Sequence, residues 1–151
     1  VIDPEALVNP YNAYAQANIM IDEQDKGKVL LKVFEALPGR IELVKTLIVE
    51  KKFERKFQEL SRIVNILEVL DASLDMSFGE IAANLSALYT YLMKRLREVH
   101  SSLDLQTLDE CKKIIATLAE AFGKAYELDR RAKTTGQPLE SPARVSLDSR
   151  I

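Results

Sequence analysis

The chain has no tryptophan, one histidine and one cysteine among its 151 residues, and each shortage closes a route to function. A lone cysteine, Cys111, cannot form an internal disulfide, and with only His100 beside it the side chains for a zinc site are too few. A carboxylate-bridged metal pair in a helical protein needs Glu-x-x-His on two helices; His100 stands alone and the position three before it is Arg97. Glycine is scarce and scattered, at Gly27, Gly39, Gly79, Gly123 and Gly136, so neither a phosphate-binding loop nor a dinucleotide fingerprint can be assembled. No apolar run approaches the length that crosses a bilayer, and no basic start leads into an apolar signal segment. With the unpaired cysteine, this points to the cytosol. A net charge of -2, with basic residues interleaved among acidic ones, offers no general attraction to phosphate backbones, so nucleic acid is a poor default partner. These absences leave an enzyme as the weakest class, with no catalytic residue, cofactor or metal expected.

What is present is amphipathic helix. Apolar residues make up 47% and charged residues 29%, the balance of an ordinary globular domain, and the length suits one domain. The clearest stretch is GEIAANLSALYTYLMKRL, residues 79–96. Ile81, Leu85, Leu88, Leu92, Leu96 and Val99 recur at steps of three and four, which places them on one buried seam. Tyr89 and Met93 widen the seam, while Asn84, Ser86, Lys94, Arg95 and Arg97 fill the other face. Ser77 with Glu80 has the form of a capping box, which predicts a helix from Phe78.

The same spacing continues elsewhere. Between 26 and 51 the apolar positions Leu30, Phe34, Leu37, Ile41, Val44 and Ile48 stay in register through Pro38 and Gly39, which suits one helix kinked at Pro38; a helix broken in two is the alternative. Over 53–74 the stripe is Phe57, Leu60, Val64, Leu67 and Leu74, thickened by Ile63, Ile66 and Leu70. The last helix, 104–131, carries Leu108, Cys111, Ile115, Leu118, Phe122 and Ala125 and is capped either by Asp104 or by Thr107 with Glu110. Residues 1–10 show no periodicity, and about 12–24 the pattern suggests a short helix with a thin apolar edge. Residues 132–151 lose periodicity among turn formers and charges, which predicts a mobile tail. Short connections between four long helices (26–51, 53–74, 78–102, 104–131) predict an all-α, antiparallel up-down four-helix bundle, one domain over 1–131, with a short additional N-terminal helix.

Candidate chemistry reduces to contact. Cys111 lies in a helix stripe, which predicts a small buried core residue rather than a nucleophile. His100, near a helix carboxyl end, reads as a partly exposed residue whose charged form is mildly favoured. The acidic residues fall on outer helix faces, and Lys94, Arg95 and Arg97 read as surface charge. Tyr89 follows the seam, whereas Tyr91 points away and is a candidate for protein contact, where tyrosine is enriched.

The 79–96 stretch also resembles the signature of the FliS family of flagellar secretion chaperones. The resemblance extends upstream through ILEVLDASLD, Ile66 to Asp75, and forward from Leu105 to Phe122; near the amino terminus NAYAQ, Asn12 to Gln16, is similar to the family's tyrosine-bearing entry segment. It covers about Tyr11 to Glu127. Where the family often has Tyr-Asp-Gly, this chain has Phe34, Glu35 and Ala36, and Phe122 stands where a tryptophan is common. The resemblance implies a cytosolic chaperone that binds the disordered C-terminal segment of flagellin, prevents premature polymerisation and supports delivery to the flagellar export apparatus, with the export gate as a further partner. It implies no nucleotide and no membrane insertion. The flagellin groove would draw on Tyr14, Ile21, Ile41, Leu85, Tyr89, Tyr91, Leu92 and Met93, positions that serve equally well as plain core. The segment bearing Tyr14 and Ile21 would be either a displaceable lid or a permanent cap. The competing reading is a non-catalytic helical adaptor or self-associating bundle.

Overall fold

The structure, a computed structural model, describes residues 13–14 and 23–134. The described residues form four α-helices and no strand: α1 Glu23–Val49, α2 Phe53–Ala72, α3 Glu80–Ser102 and α4 Leu105–Thr134, with a 3-10 turn, Met76–Phe78, between α2 and α3. Each helix packs on its neighbour in sequence, and α1 also packs on α4, which closes a ring around one apolar core.

Period explains why each helix faces inward. On α1, Leu30, Phe34, Leu37, Ile41 and Val44 are all buried, and the helix runs unbroken through Pro38. Proline inside a helix costs about 3 kcal/mol through its missing amide and its clash with the carbonyl four residues back. Full burial of Phe34, Leu37 and Ile41 around it contributes about 1.5–3 kcal/mol each, so packing holds the helix through the defect. On α3, Leu85, Leu88, Leu92, Leu96 and Val99 are buried, and on α4, Leu108, Cys111, Ile115, Leu118 and Phe122.

The connections are set by caps. After α1, the Lys52 amide donates to the Leu47 carbonyl at 2.8 Å and the Lys51 amide to Ile48 at 3.0 Å, the two bonds of a Schellman ending. Such an ending needs a left-handed residue, and Lys51 takes that conformation with φ 60°. α3 also ends on a left-handed residue, Leu103 with φ 55°, in the simpler form with one bond from its amide to the Val99 carbonyl. Asp104 caps α4, accepting from the Gln106 amide at 2.9 Å and the Thr107 hydroxyl at 3.1 Å.

Polar contacts fix the register between helices. Lys45 meets Asp109 at 2.6 Å and Glu42 meets Lys112 at 2.9 Å, while a Cβ on Gly123 would stand 3.8 Å from Leu31 Cδ1; partners thus fall along α4 as they rise along α1. Between α3 and α4, Arg95 reaches Thr107 and Glu110, both at 3.3 Å, and the Tyr91 hydroxyl donates to Glu110. Arg97 pairs with Glu68 across α2 and α3 at 2.6 Å. Exposed pairs of this kind contribute little to stability, so they chiefly set register.

Several details depart from the sequence reading. Ser77 does not cap α3: its amide and hydroxyl both donate to Asp75, at 3.0 and 2.6 Å, which ties the serine into the 3-10 turn. The helix starts at Glu80 behind Gly79, whose φ 66°, ψ -126° leaves no side-chain cap. Phe57 belongs to the α2 stripe by spacing but is 58% exposed, with its ring resting on that of His100. Not every acid is solvated, since Glu59 is buried between Arg40 at 2.7 Å and Arg62 at 3.5 Å. For His100 the charged form is disfavoured, because burial and the nearby Lys56 ammonium lower its pKa. Of the expected 12–24 helix, Ala13 and Tyr14 are described and residues 23 and 24 belong to α1; the rest, Ile21 included, lies outside the described residues. So does the expected tail, except 132–134, which continue α4.

Candidate functional site

Among the described residues, a pair of phenols lies fully out of solvent. Tyr14 and Tyr89 are both fully buried, and their hydroxyls lie 2.8 Å apart. Tyr14 donates its hydrogen to the Leu70 carbonyl at 2.9 Å. A phenol has one hydrogen, so Tyr89 is the donor between the two.

The secondary structure explains why the Leu70 carbonyl is free. α2 ends at Ala72, and the Leu74 amide, which would serve Leu70 in a continuing helix, turns to Asp71 at 3.1 Å. The carbonyls of a last helical turn need partners from outside the helix, and the Tyr14 hydroxyl is that partner. One residue earlier, the Ala13 carbonyl accepts the Asp75 amide at 2.8 Å. Residues 13–14 therefore tie the end of α2 and the turn that follows it.

An aromatic cluster surrounds the phenols. Phe34 and Phe122 stack with ring centres 4.3 Å apart, Tyr14 tilts against Phe122 at 6.3 Å, and Phe34 stacks on Tyr89 at 6.4 Å. Tyr14 thus sits among rings from α1, α3 and α4 while bonding to α2. Desolvation raises the pKa of both phenols well above the ordinary tyrosine value, so the pair is neutral and works as a hydrogen-bonded latch. Burial likewise pushes the Cys111 thiol up to about 12, which removes its nucleophilic form at neutral pH.

The structure sorts the residues nominated from sequence. Ile41, Leu85 and Leu92 are fully buried with Tyr14 and Tyr89, and Met93 is nearly so; all belong to one core cluster. Tyr91 is set apart, 41% exposed, with its hydroxyl on Glu110, which raises the phenol pKa and lowers that of the carboxylate. Two residues of the basic run on α3 are paired: Arg95 bonds Glu98 at 2.7 Å as well as Glu110, and Arg97 bonds Glu68. Sequence reasoning missed the roles of Ala13, Leu70 and Asp75, since all three act through backbone groups. No group of acidic, cysteine or histidine side chains suited to a metal ion occurs among the described residues. Nor is any described helix long and apolar enough to cross a membrane.

A profile of the family described as "Flagellar protein FliS" matches residues 7–129. The chain belongs to the FliS family. Similar proteins include the "Flagellar secretion chaperone FliS" of Bacillus subtilis (strain 168), 26% identical over 126 residues that cover 83% of this chain and 92% of that protein. The protein of the same name from Salmonella typhimurium is 28% identical over 114 residues, 73% of this chain and 84% of that protein. The one from Escherichia coli (strain K12) is 25% identical with the same coverage. The FliS match takes in Tyr14, Phe34, Tyr89 and Phe122, so the aromatic cluster falls within the family's own region.

Proposed function

We propose that this chain is a cytoplasmic flagellar secretion chaperone that holds the C-terminal segment of flagellin, prevents its premature polymerisation and supports its delivery to the flagellar export apparatus. The observation that carries this reading is the FliS match over residues 7–129, together with three relatives each named a flagellar secretion chaperone. The α1–α4 register supports an antiparallel up-down bundle, whose inter-helix grooves suit an amphipathic segment that folds on binding. Ordering such a segment offsets much of the contact energy, which keeps the complex reversible and the client deliverable.

The client surface in this proposal comprises Tyr14, Ile21, Ile41, Leu85, Tyr89, Tyr91, Leu92 and Met93. Most of these are buried in the free chain, so the client gains access by displacing the segment that carries Tyr14. That segment acts as a lid. Its release leaves the Leu70 carbonyl and the Tyr89 hydroxyl without partners, and an arriving client must restore those bonds or lose roughly 1–3 kcal/mol for each group.

Calorimetry with flagellin and with flagellin lacking its last few dozen residues tests the assignment. The full client binds and the truncated one does not; equal binding, or none to either, overturns the reading. Hydrogen exchange tests the lid: the amides at 13–14 and Asp75 lose protection when a flagellin C-terminal peptide is added, and unchanged protection makes the segment a permanent cap.

A further inference from the structure

The opposite end of the bundle carries a surface that the client reading does not use. Phe53 and Phe57 are one helical turn apart on α2, 45% and 58% exposed, and residues spaced by four share one face. The Phe57 ring rests on the His100 ring of α3, centre to centre 5.0 Å and tilted 45°. Lys56 is buried and donates to the His100 carbonyl at 3.3 Å. His100 Nδ1 is buried without a hydrogen-bond partner, so that nitrogen is turned away from solvent while the ring lies against Phe57.

Basic residues outnumber acidic ones beside this patch, although Glu54 is exposed among them. The segment EKKFERKF, Glu50 to Phe57, holds four basic and two acidic residues in a chain whose net charge is -2. Glu50 is taken up by Lys52 at 3.6 Å, while Lys51 and Arg55 are exposed and form no ion pair among the described residues. Arginine and aromatic side chains together are the composition of interface hot spots. Lys51 and Leu103, the left-handed residues that end α1 and α3, stand in the two turns at this end.

We propose that the patch of Phe53, Phe57 and His100, rimmed by Lys51 and Arg55, docks an acidic amphipathic helix of a partner protein. The phenylalanines take the partner's apolar side chains, and Lys51 and Arg55 meet its carboxylates, an arrangement in which charge gives orientation and on-rate while the aromatics hold the complex. Glu50 and Glu54, interleaved with the basic residues, oppose a continuous polyphosphate. From Phe57 to Leu70 is about 20 Å along α2 at 1.5 Å per residue, so the partner and an occupant of the Tyr14 site bind at the same time. The proposal does not depend on what that occupant is.

The test uses the full chain and a labelled synthetic helical peptide with leucine on one face and glutamate elsewhere, beside a control in which lysine replaces every glutamate. Fluorescence anisotropy reads binding, and amide NMR shifts read the place. The acidic peptide binds, the basic one does not, and the shifts centre on 50–57 and 99–103. Phe57→Ala and Arg55→Glu each weaken binding about tenfold or more, and because both side chains are exposed the variants keep the wild-type circular dichroism. Equal binding of the two peptides, or no binding of the acidic one, overturns the proposal, as do shifts centred on Tyr14 and Tyr89. Two further results reassign the patch and equally overturn it: phosphatidylserine vesicles that retain the wild type but not Phe57→Ala, or a dimer in sedimentation that Phe57→Ala abolishes.

Discussion

At the scale of single residues, the two buried phenols are unequal partners, and removing either hydroxyl gives different results. Tyr14→Phe leaves both the Leu70 carbonyl and the Tyr89 hydroxyl unsatisfied in the core and costs about 1–3 kcal/mol for each of the two groups. Tyr89→Phe removes only a donor to Tyr14, whose bond to Leu70 survives, and costs about 0.5–1.5 kcal/mol. Urea unfolding followed by circular dichroism gives the order directly; a reversed order would mean that Tyr14 does not donate to Leu70. Both phenols have pKa values raised by burial from an ordinary 10.0. Folding then favours the protonated forms, so this stability is complete below pH 10 and is lost as pH rises above it. Stability therefore falls above about pH 10, and the fall is shallower in Tyr89→Phe. Cys111, with its thiol pushed up to about 12, reacts with Ellman's reagent only once the chain unfolds. The burial of Cys111 was legible from its place on a stripe. The phenol pair was not, because nothing in the spacing of Tyr14 indicates a carbonyl 56 residues away.

At the scale of elements, three glycines give stability changes of opposite sign. Gly39 and Gly123 lie inside helices; a Cβ at the first meets nothing within 4 Å and at the second finds ordinary contact with Leu31. Alanine at either position raises stability by about 0.5–1 kcal/mol through the lost freedom of the unfolded chain. Gly79 has equal room, but its φ 66°, ψ -126° is a backbone region closed to other residues, so Gly79→Ala lowers stability by about 1–3 kcal/mol. Thermal unfolding of the three variants separates backbone strain from space. The helices themselves were legible because three-four periodicity needs only apolar positions, and the register through Pro38 marked one helix. Caps read less well. Ser77 and Glu80 fit the capping pattern, yet Asp75, two residues earlier, wins the serine's amide and hydroxyl. Phe57 misled for a related reason: a stripe gives direction around a helix and says nothing about where its neighbours end.

At the scale of the whole molecule, one core joins all four helices, so the chain unfolds as a unit. With no tryptophan in the sequence, tyrosine emission carries contributions from the buried Tyr14 and Tyr89, and its transition coincides with that of the helical signal at 222 nm; separate midpoints would mean that residues 13–14 leave before the bundle melts. The bundle class and the family were both legible from the stretch around α3, whereas the location of exposed surface was not, since it depends on which helix ends meet.

The α1–α4 seam has a consequence in time. The ion pairs Glu42–Lys112 and Lys45–Asp109 join residues 70 and 64 apart, whereas the α1–α2 and α3–α4 contacts join near neighbours, such as Arg40 with Glu59 and Arg95 with Thr107. Closing a longer loop costs more entropy, so two local hairpins form early and the ring shuts last. A side chain on that seam then weighs on the backward step alone: Leu31→Ala speeds unfolding in stopped-flow chevrons and leaves the refolding rate nearly unchanged. The first and last helices thus act as a clasp, and the lifetime of the folded chain is set by how tightly α1 holds α4.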